Sequence, residues 1–141
     1  MKYVLDASVA VRWLLAEPGF EKAEQLVLNA RNGLDELIAP DFFLAECGHA
    51  LFRAERKNNI AAGEARRLLT ILIHDLPDLH PSHELVPRAA AICQHLRKSF
   101  YDCLYMALAE REQIQFITAD TKLVTAAQPD YPYVVDLAEL P

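Results

Sequence analysis

Four carboxylates stand where neighbouring residues make their chemistry arguable: Asp6, Glu46, Asp102 and Asp120. Asp6 follows the apolar run Tyr3-Val4-Leu5, where an extended segment gives way to a helical pattern starting near Ser8. Asp120 has the same setting, after Phe116-Ile117-Thr118 and before Thr121-Lys122-Leu123-Val124. Either one alone is explained by helix N-capping, because a carboxylate there accepts from the free N–H groups of a first turn. Asp102 is the only charge between Phe100 and Ala109, a helical segment apolar on every face and therefore expected to be buried. A buried carboxylate is costly unless it is paired, hydrogen-bonded or bound to a metal. Ser99-x-x-Asp102 also has the spacing of a capping box, a purely local alternative. Glu46 lies inside a helical pattern where no cap applies. It falls about 60° from Phe43, at the border of the stripe Phe43, Cys47, Ala50, Leu51 and Ala54, and can point from the core edge into a cleft.

If the four acids converge, their repulsion dictates what else must be present. Two carboxylates about 4 Å apart repel by roughly 4 kcal/mol at an effective dielectric near 20, so the cluster needs shared protons or a cation. Hard oxygen ligands select Mg²⁺, with Mn²⁺ as the other choice. Such an ion lowers the pKa of a bound water, sets it in line with a phosphodiester and stabilises the departing oxygen. The expected reaction is therefore phosphodiester hydrolysis by a metal-activated water, with all four acids as direct or water-mediated ligands. Ser8 and Thr118 belong to the same strand ends, and their hydroxyls could hold a metal-bound water or bond the local backbone. His49 and Arg53 lie three and seven residues beyond Glu46 on its side of the helix, as possible cleft or RNA contacts. His74, His80 and His83 have a loose metal-like spacing, but no further ligand completes a zinc set.

Positioning these acids requires strands that end at them. Lys2 to Leu5, Leu37 to Ala39, Leu79-His80, Gln115 to Thr118 and Tyr133 to Val135 read as strands. Helices are expected from Ser8 to Ala16, Glu21 to Arg31, Asp41 to about Asn58, Ala62 to His74, Glu84 to Arg97 and Ser99 to Glu112. Short strands alternating with longer helices favour parallel strands joined by crossovers, and so a three-layer α/β fold. Ligands then bind beyond the carboxyl ends of the strands, where Asp6 and Asp120 stand.

The chain has 141 residues, the size of one domain spanning 1–141. Its net charge of −6 opposes phosphate binding overall. Cations nevertheless cluster locally at Arg53, Arg56 and Lys57, at Arg66-Arg67 and at Arg97-Lys98. Cys47, Cys93 and Cys103 stand singly in apolar helical patterns, an odd count read as reduced core residues. Tyr3 to Leu15 carries Asp6 and Arg12, which excludes a signal or membrane-spanning segment there and favours a cytoplasmic protein.

Met1-Lys2-Tyr3-Val4-Leu5-Asp6-Ala7-Ser8, Ile38-Ala39-Pro40-Asp41-Phe42-Phe43-Leu44-Ala45-Glu46, Ser99 to Ala109 with Asp102, and Phe116 to Leu123 with Asp120 resemble, in order and spacing, the four acidic motifs of the PIN domain. Within that family the chain is similar to the VapC-type toxins of toxin–antitoxin pairs. The resemblance implies a central parallel sheet of order 3-2-1-4-5 flanked by helices and a four-acid magnesium site. It also implies endoribonuclease activity on structured RNA, a homodimer, and an antitoxin partner covering the site. His49 departs from the Asn usual in the family after the glutamate motif. A second copy would account for Phe52, which points away from the apolar stripe of its own helix; packing on the neighbouring helix is the alternative. Two other functions remain open: a phosphoacceptor domain of receiver type, which lacks here the second acid such sites want beside the first, and a PIN nuclease of RNA processing with no toxin role.

Overall fold

The computed structural model describes residues 1–141. Five strands, β1 (Lys2–Leu5), β2 (Glu36–Pro40), β3 (Asp78–His80), β4 (Gln115–Thr118) and β5 (Val134–Asp136), form one sheet of order β3-β2-β1-β4-β5. Every pairing is parallel, so both faces need a cover, and the central strands are apolar on both sides. Val4, Leu5, Ile38, Ala39, Phe116 and Ile117 are all buried.

Two groups of helices supply the cover. Helix α1 (Ala7–Leu14) packs with α2 (Phe20–Arg31), α3 (Phe43–Arg56) and α4 (Glu64–Ile73), while α5 (Val86–Leu96) packs with α6 (Phe100–Glu112). Helix α6 lies against β1, β2 and β4 and buries seven consecutive residues, Cys103 to Ala109. That continuous burial is why this segment carries no amphipathic signal. Helix α7 (Thr121–Ala127) connects β4 to β5. The core is continuous through the sheet, with a satellite of Leu51, Ala65 and Leu68 that joins α3 to α4.

The observed boundaries refine the expected ones for identifiable reasons. Asp41 does not begin a helix, because its N–H donates to the His80 carbonyl at 2.8 Å and prolongs the β2–β3 pairing; α3 starts at Phe43. The expected helix from Glu84 divides into a 3₁₀ turn, Ser82–Leu85, and α5. Pro87, which has no N–H to give, is tolerated only in that helix's first turn. Arg97 closes α5 in the left-handed conformation, φ 57°. Asp136 joins β5 in place of Tyr133, whose carbonyl still accepts from Phe116 N–H at 2.9 Å. Cys47, Cys93 and Cys103 are all free thiols.

Candidate active site

Strand order reverses direction at β1, so the chain leaves β1 and β4 on opposite sides and a crevice opens between their carboxyl ends. Asp6 ends β1 there, and its N–H donates to the Ile117 carbonyl of β4 at 3.0 Å. Its side chain does not cap α1. Oδ2 instead accepts from the hydroxyls of Ser8 and Thr118, each at 2.7 Å. Those hydroxyls in turn accept from the backbone N–H groups of Ala119, at 3.0 Å to Ser8, and Asp120, at 3.1 Å to Thr118. Fixed backbone donors thus orient two hydroxyls, and both hydroxyls orient one oxygen of Asp6. Thr118 makes the local backbone bond expected of it, whereas Ser8 bonds a backbone N–H 111 residues away; both also donate to the carboxylate.

The other three acids arrive from α3, α6 and the start of α7. Glu46 is half-buried, and its Oε1 accepts from the Tyr105 hydroxyl at 2.7 Å. Tyr105 is fully buried and stacks on Phe116 with ring centroids 5.3 Å apart, so the donor is held rigidly. Ser99 caps α6 by accepting from Asp102 N–H at 3.2 Å. Only that half of the capping box forms, and the Asp102 carboxylate is left for the cleft. Asp120 does cap, its Oδ1 accepting from Leu123 N–H at 3.1 Å.

All four acids line one cleft of about 380 Å³, together with a fifth carboxylate, Glu17, and with Ser8, Arg12 and Ala50. His49 and Arg53 are exposed and outside this lining; Ala50 occupies the wall one residue on from His49. A larger depression, about 570 Å³, contains Lys2, Glu110 and Tyr133. There the charges are already matched, Glu110 by Arg88 and Tyr133, and Lys2 by Glu36 and Glu112. Only the acidic cleft carries uncompensated like charge.

That charge is visible in the proton affinities. Burial first, then the charges of Asp6, Asp120 and Glu46, push the Asp102 carboxyl up to about 7. Burial also raises Asp6, against the hydroxyl bonds from Thr118 and Ser8, and raises Glu46 against the bond from Tyr105. The donor set is entirely hard oxygen, which fits Mg²⁺ or Mn²⁺ and not a thiolate metal site. Cys47 lies behind the cleft with its thiol directed at the Ala7 carbonyl, 3.9 Å away. No three of the acids stand close enough together to form a coordination sphere as they are placed here. His74 and His83 are exposed and His80 half-buried beside Arg111, away from these acids.

Two of the contacts that build the site were not anticipated from sequence. The Tyr105–Glu46 bond had a signal, since Tyr105 lies three residues after Asp102 and therefore on its helix face. The convergence of Ser8 and Thr118 on Asp6 depends on the pairing of β1 with β4, 112 residues apart for Thr118, and no local pattern encodes it.

Parallel order, reversal at β1 and acids gathered beyond the strand ends define an α/β domain with an acidic cleft at its switch point. A sequence model of the PIN domain matches residues 3–128. The chain belongs to the PIN domain family, and within it to the VapC type. It is 36% identical over 138 residues to Ribonuclease VapC1 of Mycobacterium tuberculosis, covering 95% of this chain and 96% of the relative. Ribonuclease VapC3 of Pyrobaculum aerophilum is 30% identical over 125 residues, covering 87% and 92%. Among solved structures, PAE2754 from Pyrobaculum aerophilum superposes with a TM-score of 0.67 at 21% identity, covering 98% of this chain and 90% of that one. VapBC2 from Rickettsia felis, bound to a DNA fragment from their promoter, gives 0.62 at 15% identity over 96% and 97%. The sheet order also differs from the 2-1-3-4-5 order of receiver-type domains, which argues against a phosphoacceptor function. No helix is long and apolar enough to cross a membrane.

Proposed function

We propose that this chain is a divalent-metal-dependent endoribonuclease, the toxin of a type II toxin–antitoxin pair working in the cytoplasm. The observation that carries the reading is the meeting of Asp6, Glu46, Asp102 and Asp120 in one cleft, where burial and the charges of the other three raise the proton affinity of Asp102. Relatives named as ribonucleases, similar over nearly the whole chain, support RNA as the substrate. Mg²⁺, or Mn²⁺ in its place, held by the four acids directly or through water, would supply charge neutralisation, water activation and stabilisation of the departing oxygen.

The chain's own residues prepare that site. Ser8 and Thr118 fix the orientation of Asp6 by donating to Oδ2. Tyr105 does the same for Glu46. Asp120 commits Oδ1 to its helix and keeps Oδ2 for the cleft. Asp102, without a side-chain hydrogen bond and with its carboxyl pushed up to about 7, would have to give up its proton to serve as a ligand. His49 and Arg53, exposed on α3, are available to RNA outside the cleft wall. A homodimer and an antitoxin partner go with the VapC type, and Phe52, 39% exposed on α3, is the side chain a second copy would cover.

The test is to incubate purified protein, free of any partner, with structured RNA and Mg²⁺. We expect endonucleolytic products that disappear with a chelator and with Asp102→Asn. Cleavage indifferent to both changes would overturn the reading. Expression without the antitoxin should arrest growth; harmless expression of an active enzyme would assign it to RNA processing.

A further inference from the structure

We propose that Arg12 is the substrate-binding cation of this cleft, its guanidinium receiving a phosphate of the RNA strand beside the four acids. The inference rests on the ribonuclease reading above and adds to it the group that counters substrate charge. A phosphodiester entering a cleft lined by Asp6, Glu17, Glu46, Asp102 and Asp120 meets like charge, which a cation placed by the protein offsets next to any metal. Arg12 is the one basic residue in the lining.

Three observations single it out. It lies four residues after Ser8 on α1, so the two share a helix face and both look into the cleft. It is half-buried yet makes no ion pair; Arg31, Arg67, Arg88 and Arg111 are each committed to a carboxylate, and the other unpaired arginines, Arg53, Arg56, Arg66 and Arg97, are exposed. A partly buried guanidinium left unpaired beside an acid cluster is held back from neutralising it and keeps its fork of donors free. The end of its stem and one guanidinium nitrogen also lie beside the turn after α1. Gly19, in the left-handed conformation at φ 88°, offers bare backbone where a Cβ would stand 3.6 Å from Arg12 Nη1 and 3.9 Å from Cδ. The turn after α1 thus presents a smooth surface over which the side chain lies. The bland role for Arg12 is to complement the carboxyl end of α1, and the experiment separates the two.

Binding is measured in Mg²⁺ by anisotropy of a fluorescein-labelled single-stranded oligoribonucleotide, on an Asp102→Asn background so that it stays intact. Cleavage is measured on the wild-type background. Arg12→Met keeps the stem over Gly19 and removes the charge; Arg12→Lys keeps the charge and removes the fork. We expect the slope of log K against log salt to fall by about 0.7 with Arg12→Met, one phosphate contact on a single strand, and to persist with Arg12→Lys. In cleavage, kcat/KM should drop about ten- to a hundredfold with Arg12→Met, the worth of a hydrogen bond to a charged group, with partial recovery in Arg12→Lys. Unchanged slope and unchanged kcat/KM overturn the proposal. So does a lowered Tm with neither change, which assigns Arg12 to helix stability alone. If the slope falls but the wild type cleaves no RNA with any divalent ion, the ribonuclease reading fails and the phosphate site stands. If the wild type cleaves and Arg12→Met cleaves equally well, only the role of Arg12 fails.

Discussion

Asp102 and Tyr105 lie one helical turn apart on α6 and serve the cleft in opposite electrostatic senses. Asp102 brings a charge that burial and three neighbouring carboxylates disfavour, and nothing in the fold needs that charge. Asp102→Asn should therefore stabilise the metal-free protein at pH 8, by about 1–3 kcal/mol once solvent access is allowed for, while eliminating metal-dependent cleavage. Urea denaturation with a chelator present checks the first half; a destabilised variant would mean that the carboxylate is tied into the fold. Tyr105 does the reverse, supplying a neutral donor to a charged acceptor. Tyr105→Phe keeps the stack on Phe116 and removes only the 2.7 Å bond to Glu46. It should cost roughly 1–2 kcal/mol of stability. It should also push the Glu46 carboxyl further up, because that bond is what opposes burial there. Titration of the Glu46 side-chain carbon by NMR reads the direction, and a downward move would contradict the assignment.

Where two strands meet, one hydroxyl carries a larger share than its chemistry suggests. Thr118 is fully buried at the end of β4, donates to Asp6 just beyond β1 and accepts from Asp120 N–H. Thr118→Val preserves shape and removes all of this, leaving Asp6 with Ser8 alone and a backbone donor unpaired. We expect a loss of about 1–3 kcal/mol and weaker Mg²⁺ binding by calorimetry. Affinity equal to wild type would show that Asp6 is oriented without it. At this scale the sequence was informative wherever a local pattern had one solution. Alternating strands and helices specified a parallel sheet, and strand ends located Asp6 and Asp120. The unbroken apolar face of α6 marked Asp102 as a charge needing a reason. What could not be read locally depends on pairing across the chain. Asp6 and Asp120 occupy equivalent N-cap positions, yet Asp120 caps and Asp6 does not. Only the adjacency of β1 and β4 brings Thr118 to Asp6 and draws its carboxylate away from its own helix. The start of α3 is the same case, since the β2–β3 pairing that takes up Asp41 is invisible in the residues from Asp41 to Glu46.

For the molecule as a whole, the acid cluster and the surface ion pairs pull stability in opposite directions with pH. Asp75 and Glu110 sit below their ordinary values. Asp75 is lowered by the forked bond from Arg31, and Glu110 by Arg88 and Tyr133 against the pull of burial. Their contribution is present above the unfolded carboxylate values and is lost as pH falls through the folded ones. Asp6, Glu46 and Asp102 sit above theirs. A carboxyl raised in the fold contributes fully below its unfolded value and loses that contribution as pH rises through the folded one. For Asp102 the window runs from 3.8 to about 7. The metal-free protein should therefore lose thermal stability steadily across that window. A divalent cation reverses the sign of the argument, because it binds the ionised cluster and not the protonated one. At a concentration a hundred times its dissociation constant for the ionised cluster it adds about 2.7 kcal/mol, most of it already present at pH 7 and little of it at pH 5. Scanning calorimetry at pH 5 and pH 8, with and without Mg²⁺, checks both halves. The metal-free Tm should be higher at pH 5, and the Mg²⁺ increment should be large at pH 8 and small at pH 5. A flat metal-free profile, or an increment equal at both pH values, would mean that the four carboxylates are not acting as one electrostatic unit.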